Sequence, residues 1–157
     1  MTVSNRLIVA LRVSLGWLFL YSGTEKILDS HWTAGGFLAG AKTFTAFYAW
    51  FASPAILPLT NWLNSWGQFL IGAALLLGIC VRFSSICGAV LMALYYFPGL
   101  TFPTIGKNYL LVDEHVIFAL ALLLLASARA GRYWGLDAWC ANLPVCKKYP
   151  RFHNLFG

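Results

Sequence analysis

The sequence predicts an all-α integral membrane protein: a four-transmembrane-helix bundle with an interfacial or re-entrant helical segment between its first two helices. Three observations carry that expectation. Of 157 residues, 60% are hydrophobic and only 10% charged, with a mean hydropathy of +0.72, too apolar for a soluble domain of this length. Four segments, about 7–28, 64–81, 86–101 and 109–128, have the length and apolarity of spans. The net charge of +6 is also spread unevenly over the loops between them, as topology requires. On a soluble chain that excess would suggest nucleic acid, but no basic patch interleaved with aromatics is present. No internal repeat or linker is visible, so residues 1–157 read as a single domain.

In the first span, Arg6 and Arg12 precede an apolar run from Leu15 to Tyr21. No small-residue cleavage site follows it, so it reads as a retained helix. Arg12, Gly16, Phe19, Gly23 and Lys26 recur at spacings of four and three and share one face. The glycines on that face let another helix come close. Tyr21, Glu25 and Asp29 form a second stripe beside it.

Residues 29–63 are aromatic (Phe44, Phe47, Tyr48, Trp50, Phe51) but broken by Gly35-Gly36, Pro54 and Pro58. A straight span does not fit. A cap of interfacial or re-entrant helices does, at the headgroup depth that Trp and Tyr favour.

The second span aligns Gln68, Gly72, Leu75, Ile79 and Arg82. A turn at Arg82-Phe-Ser-Ser leads into the third span, which Pro98 and Pro103 end. The fourth runs from Tyr109 to Ala128, 20 residues or roughly 30 Å of helix. Its entrance holds Asp113, Glu114 and His115 about one turn inside. An ionisable residue within a span costs on the order of 2.5–3.5 kcal/mol, so these three need polar neighbours. The remainder, 129–157, with Trp134, Trp139, Lys147, Lys148 and Arg151, reads as an interfacial tail.

Counting Lys and Arg sets the orientation. Eight lie on the side of the N-terminus, the Arg82 turn and the tail; Lys26, Lys42 and Lys107 lie on the other. Both termini are therefore expected in the cytoplasm. That topology brings Glu25, Lys26, Gln68, Asp113, Glu114 and His115 to similar depth at the outer face. Asp113 to His115 sweep about 200° of helix surface, so they cannot all face inward.

Two readings of this cluster stand side by side. One is a proton-handling pocket under an aromatic roof, for a lipid-soluble or anionic substrate; the other is a set of ion pairs holding helix ends together. Arg12 and Arg82, at the opposite end, are expected to snorkel to the headgroups. Cys80 and Cys87 are expected to flank a short turn and Cys140 and Cys146 to sit in the tail, in no metal or redox spacing. There is no G-x-G-x-x-G, P-loop or iron–sulfur cysteine run, and no metal site is expected.

Several ordered motifs coincide with one family: Arg12-x3-Gly16 through Gly23-Thr-Glu-Lys26-Ile-Leu, and Gly72 to Gly78-Ile-Cys-Val-Arg82. Asn108 and Glu114 leading to Ala130-Gly-Arg-Tyr-Trp-Gly-Leu-Asp137 complete the set. The pattern resembles the DoxX/DoxD family of four-helix membrane proteins. The resemblance implies residence in a bacterial or archaeal cytoplasmic membrane. In the family's best-known members it implies the membrane subunit of a thiosulfate:quinone oxidoreductase. Carried onto this chain, Glu25, Lys26, Glu114 and His115 would be catalytic. Tyr21, Gln68 and Asp113 would lie against the quinone. Gln68 departs from the pattern, since a carboxylate is common near the start of helix two. The implied partners are membrane lipid, quinone, and a protein subunit or second copy. The alternative is a non-catalytic subunit or assembly factor that docks through its aromatic cap. A small-solute transporter lacks the expected repeats.

Overall fold

Helix α1 (Val3–Leu28) starts at Thr2, whose side chain accepts a hydrogen bond from the Asn5 N–H, and ends where Asp29 turns extended. In the computed structural model, residues 2–106 and 109–140 are described, apart from the Cys140 side chain. Expectations placed on Lys107, Asn108, the Cys140 thiol, Cys146 and the basic tail lie outside these residues. Two short helices follow, α2 (Gly35–Ala39) and α3 (Thr45–Phe51), then the long α4 (Leu57–Leu77) and α5 (Val81–Gly99). A small antiparallel sheet, β1 (Leu100–Thr101), β2 (Thr104–Ile105) and β3 (Tyr109–Leu110), leads to α6 (Glu114–Ser127). A 3-10 turn (Ala130–Arg132) and α7 (Leu136–Cys140) close the described chain.

The four longer helices pack α1 on α4, α4 on α5 and α5 on α6, with α6 touching α1. The face of α1 that turns inward carries Arg12, Leu15, Gly16, Phe19 and Gly23, the stripe the spacing marked out. It meets α4 at backbone distance. A Cβ on Gly72 would overlap the backbone of Leu20 and the carbonyl oxygen of Gly16. The core between the helices is Leu15, Phe19, Leu75, Val81, Leu122 and Leu125 with their neighbours. Outside, Trp17, Leu70, Val90 and Leu120 are exposed, one on each of the four helices. Such an outer surface fits hydrocarbon rather than water. Among the described residues, α1 and α5 are long and apolar enough to cross a membrane.

Three expected boundaries move, each for a local reason. The reversal between the second and third spans lies at Gly78–Cys80, not at Arg82–Ser85. Gly78 ends α4 in the left-handed region, at φ 67°, where a side chain would strain the backbone and meet the Arg12 guanidinium. Helix α4 begins earlier than expected, with Pro58 in its first turn. The fourth helix starts at Glu114 rather than Tyr109, because Tyr109 and Leu110 pair with β2 and Asp113 is the extended cap residue. Asp113, Glu114 and His115 therefore sit at the helix entrance and not a turn inside it. The burial cost that the sequence seemed to demand is correspondingly reduced.

The two ends of the bundle are closed differently. At one end Arg12, 2% exposed, does not snorkel. Its Nη1 donates to the carbonyls of Ala130 (2.8 Å) and Tyr133 (3.0 Å), and its Nη2 to that of Trp134 (3.0 Å). Beside it, buried Asp137 accepts the backbone N–H groups of Cys80 (2.7 Å) and Val81 (3.1 Å). A carboxylate from the far end of the chain thus satisfies the orphan donors at the start of α5.

At the other end the segment between α1 and α4 forms a roof around Ala34, Leu38, Ala41 and Tyr48. Asn61 Oδ1 accepts from the Ala34 N–H (2.9 Å), and the Lys42 N–H donates to the Pro98 carbonyl (3.0 Å). Pro98, inside the last turn of α5, has no N–H to give the Leu94 carbonyl four residues back. The Tyr48 hydroxyl donates to that carbonyl instead, at 3.0 Å. Burial raises the Tyr48 pKa, which keeps the hydroxyl a donor. Tyr48→Phe is therefore expected to cost about 1–3 kcal/mol, the usual loss when a buried acceptor is orphaned. Restoring the backbone donor with Pro98→Ala should shrink that cost to a few tenths, a coupling that a double-mutant cycle of thermal unfolding measures.

Candidate functional site

Under the roof lies a cavity of about 410 Å3, walled by Phe37, Leu38, Phe47, Phe51, Leu91 and Leu94 among others. That volume falls in the range of small-molecule sites, which are mostly apolar with a few convergent polar groups. Here the polar groups gather at one end: Lys26, Asn64, Tyr95 and His115.

Helix α1 delivers Lys26 from its last turn, on the same stripe that packs α4. Its Nζ is 3.0 Å from Asn64 Oδ1 and 3.0 Å from the Tyr95 hydroxyl, and it also donates to Gln68 Oε1. Asn64 and Gln68 are one turn apart on α4, so both amides reach the same point. The two amide oxygens can only accept. The Tyr95 hydroxyl spends its own proton on Asn64 Oδ1, at 2.7 Å. Three acceptors around Nζ match the three N–H groups of the ammonium form. The Trp32 and Tyr95 rings lie 5.0 and 5.3 Å from it, within cation–π range. Gln68, 3% exposed, also accepts from the Ser22 hydroxyl (3.2 Å).

His115 approaches from α6. Asp113 Oδ1 accepts the backbone N–H groups of His115 (3.0 Å) and Val116 (3.2 Å), capping the helix, while its Oδ2 lies 2.7 Å from His115 Nδ1. One carboxylate fixes both the helix start and the ring. With Nδ1 engaged, Nε2 is the ring nitrogen available to the cavity. The ring also makes an edge contact with Tyr95, centroids 5.9 Å apart.

Of the residues picked out from sequence, the structure brings Lys26, Gln68, Asp113 and His115 together. It does not bring Tyr21, Glu25 or Glu114, which are exposed. Tyr21 and Glu25 stand one turn apart on the outer face of α1. Three members of the site were not anticipated: Asn64, Tyr95 and Trp32. Asn64 could have been found, since it stands four residues before Gln68. Cys80 and Cys87 do not flank a turn: Cys80 lies in the reversal itself, as the residue capping α5, and Cys87 lies within α5; both are free thiols. Burial, then the charge of Asp137, raises the Cys80 pKa, so this thiol is a poor nucleophile.

A family model described as DoxX matches residues 7–99, more than half of the chain. The chain belongs to the DoxX family. Neither a curated protein nor a solved structure matches it. In this DoxX membrane protein the matched stretch holds Lys26, Asn64, Gln68 and Tyr95, while the Asp113–His115 pair and the Asp137 contact lie beyond it.

Proposed function

We propose that this DoxX protein is the membrane subunit of a quinone-linked oxidoreductase and that the cavity takes the head of a lipid-soluble quinone. The observation that supports this best is an apolar cavity whose polar end pairs an aspartate-oriented histidine with a partly buried lysine. A bound quinone supplies two-electron, two-proton chemistry. The chain's residues provide the rest. Aromatic walls hold a flat ring, His115 Nε2 exchanges a proton with a ring oxygen, and Asp113 holds the imidazole in the orientation that allows it. Lys26 has all three N–H groups occupied and acts on the ligand through its charge.

In this reading α1, α4, α5 and α6 cross a cytoplasmic membrane with both termini inside, as the Lys and Arg distribution favours. Thiosulfate, the electron donor the resemblance implies, suits the cavity poorly. A small, strongly hydrated dianion would exchange water for aromatic walls and one ammonium already ringed by neutral oxygens. Oxidation of a sulfur compound is therefore assigned to a partner subunit, with this chain on the quinone side.

The test is saturable binding of a short-tailed quinone to the purified protein in lipid nanodiscs. His115→Phe should weaken it about tenfold, the value of one hydrogen bond to a charged or polarised group. Glu114→Gln, outside the cavity, should leave it unchanged. Absence of saturable binding to the unaltered protein would overturn the reading.

A further inference from the structure

We infer that the cavity selects ligands whose head group is ionised and negative, and that Gln68 is the residue that sets this preference. The inference rests on the cavity being a ligand site, as proposed above, and adds the charge of what it takes.

The argument begins with what surrounds Lys26. Its three hydrogen-bond partners, Asn64, Gln68 and Tyr95, are all neutral, and so are the two rings that face it. The chain has only five carboxylates. Asp137 serves the opposite end of the bundle, and Glu25, Asp29 and Glu114 are exposed. Asp113 is committed to the first turn of α6 and to His115. The Asp113 carboxylate lies 2.7 Å from His115 Nδ1, its own ion-pair partner. Among the described residues, therefore, no carboxylate lies within ion-pair distance of the ammonium at the end of the cavity.

Neutral oxygens satisfy its N–H groups but leave its positive field intact. In a chamber with apolar walls that field is less screened than in bulk water. A negative head brought in on an apolar tail gains from it; a neutral head gains little; a cationic head is repelled. Gln68 is the position where a single atom decides the matter. Its side-chain oxygen already touches Nζ, so a glutamate of the same shape would put a carboxylate there and cancel the field from within.

The shared ligand chemistry is an anionic head on an apolar body, which an ionised hydroxyquinone or a fatty acid carboxylate could each supply. Binding to the full chain in nanodiscs of neutral lipid at pH 7 separates them. The probes are a 2-hydroxy-3-alkyl-1,4-naphthoquinone, ionised at this pH, its neutral 2-methoxy ether, decanoate and decanol. We expect each anion to bind at least about tenfold tighter than its neutral counterpart. Gln68→Glu should abolish that ratio, and a circular dichroism spectrum matching the parent's shows that the variant is folded. Lys26→Met should do the same. Preference for the hydroxyquinone alone supports the inference with a quinone as the source. Preference for decanoate, with no binding of either naphthoquinone, supports it while removing the quinone reading. Equal binding of the hydroxyquinone and its ether, with no preference for decanoate, overturns the inference and leaves the quinone reading standing. If no probe binds, both are overturned.

Discussion

Arg12→Met is expected to lower the thermal midpoint of the detergent-solubilised protein by on the order of 10 °C, the largest single effect of any side-chain truncation in the chain. The guanidinium donates to three backbone carbonyls between Ala130 and Trp134, and truncation leaves all three facing a methyl group. Removing one partner from a buried charged arrangement typically costs about 3–5 kcal/mol. For a domain of this length each kcal/mol moves the midpoint by about 2–4 °C. Lysine can keep the charge but not the fork that spans separated carbonyls, so Arg12→Lys should recover only part of the loss. Circular dichroism melts of the three proteins decide it. A midpoint within about 2 °C of the parent for Arg12→Met would mean that the Ala130–Trp134 segment does not depend on this contact.

The second large effect is expected at Gly72. Even the Cβ of alanine there would fall on the backbone of Leu20 and the carbonyl of Gly16, and neither can rotate away as a flexible side chain could. Helices α1 and α4 must separate to admit it. Overpacking of a close contact costs about 1–3 kcal/mol and sometimes more. Gly72→Val should exceed Gly72→Ala. Gly67, on the same helix, is the internal control. A Cβ at Gly67 meets no atom within 4 Å, so Gly67→Ala should be neutral or stabilising by up to about 1 kcal/mol through helix propensity alone. Equal melting behaviour of the two alanine variants would refute the close-contact argument. Because α1 carries Lys26 and α4 carries Asn64 and Gln68, the Gly72 variants should also loosen the polar end of the cavity.

What the sequence made readable was periodic. The spacing from Arg12 to Lys26 marked the buried face of α1, because every third or fourth residue of a helix returns to the same side. Gln68 and Gly72 were legible for the same reason. What it hid depended on distant partners. Arg12 looked like a lone cation near a span end, yet the carbonyl it binds belongs to Ala130, 118 residues away. Asp137 looked like part of a tail motif, and its role at the start of α5 exists only once the chain has folded back on Gly78. Tyr109–Val112 passed for the first turn of a helix because they are apolar; pairing of Tyr109 and Leu110 with β2 overrode that. An aspartate standing directly before an apolar run was nonetheless a helix-start signal in plain view. Tyr95 and Tyr96 are adjacent, and nothing in their composition says which of them turns inward.

The bond from Tyr48 to the Leu94 carbonyl also bears on traffic. For the ceiling of the chamber to swing up, that oxygen must be left bare at a place where solvent does not readily replace the lost donor. Lifting that ceiling therefore costs at least this one hydrogen bond, about 0.5–1.5 kcal/mol.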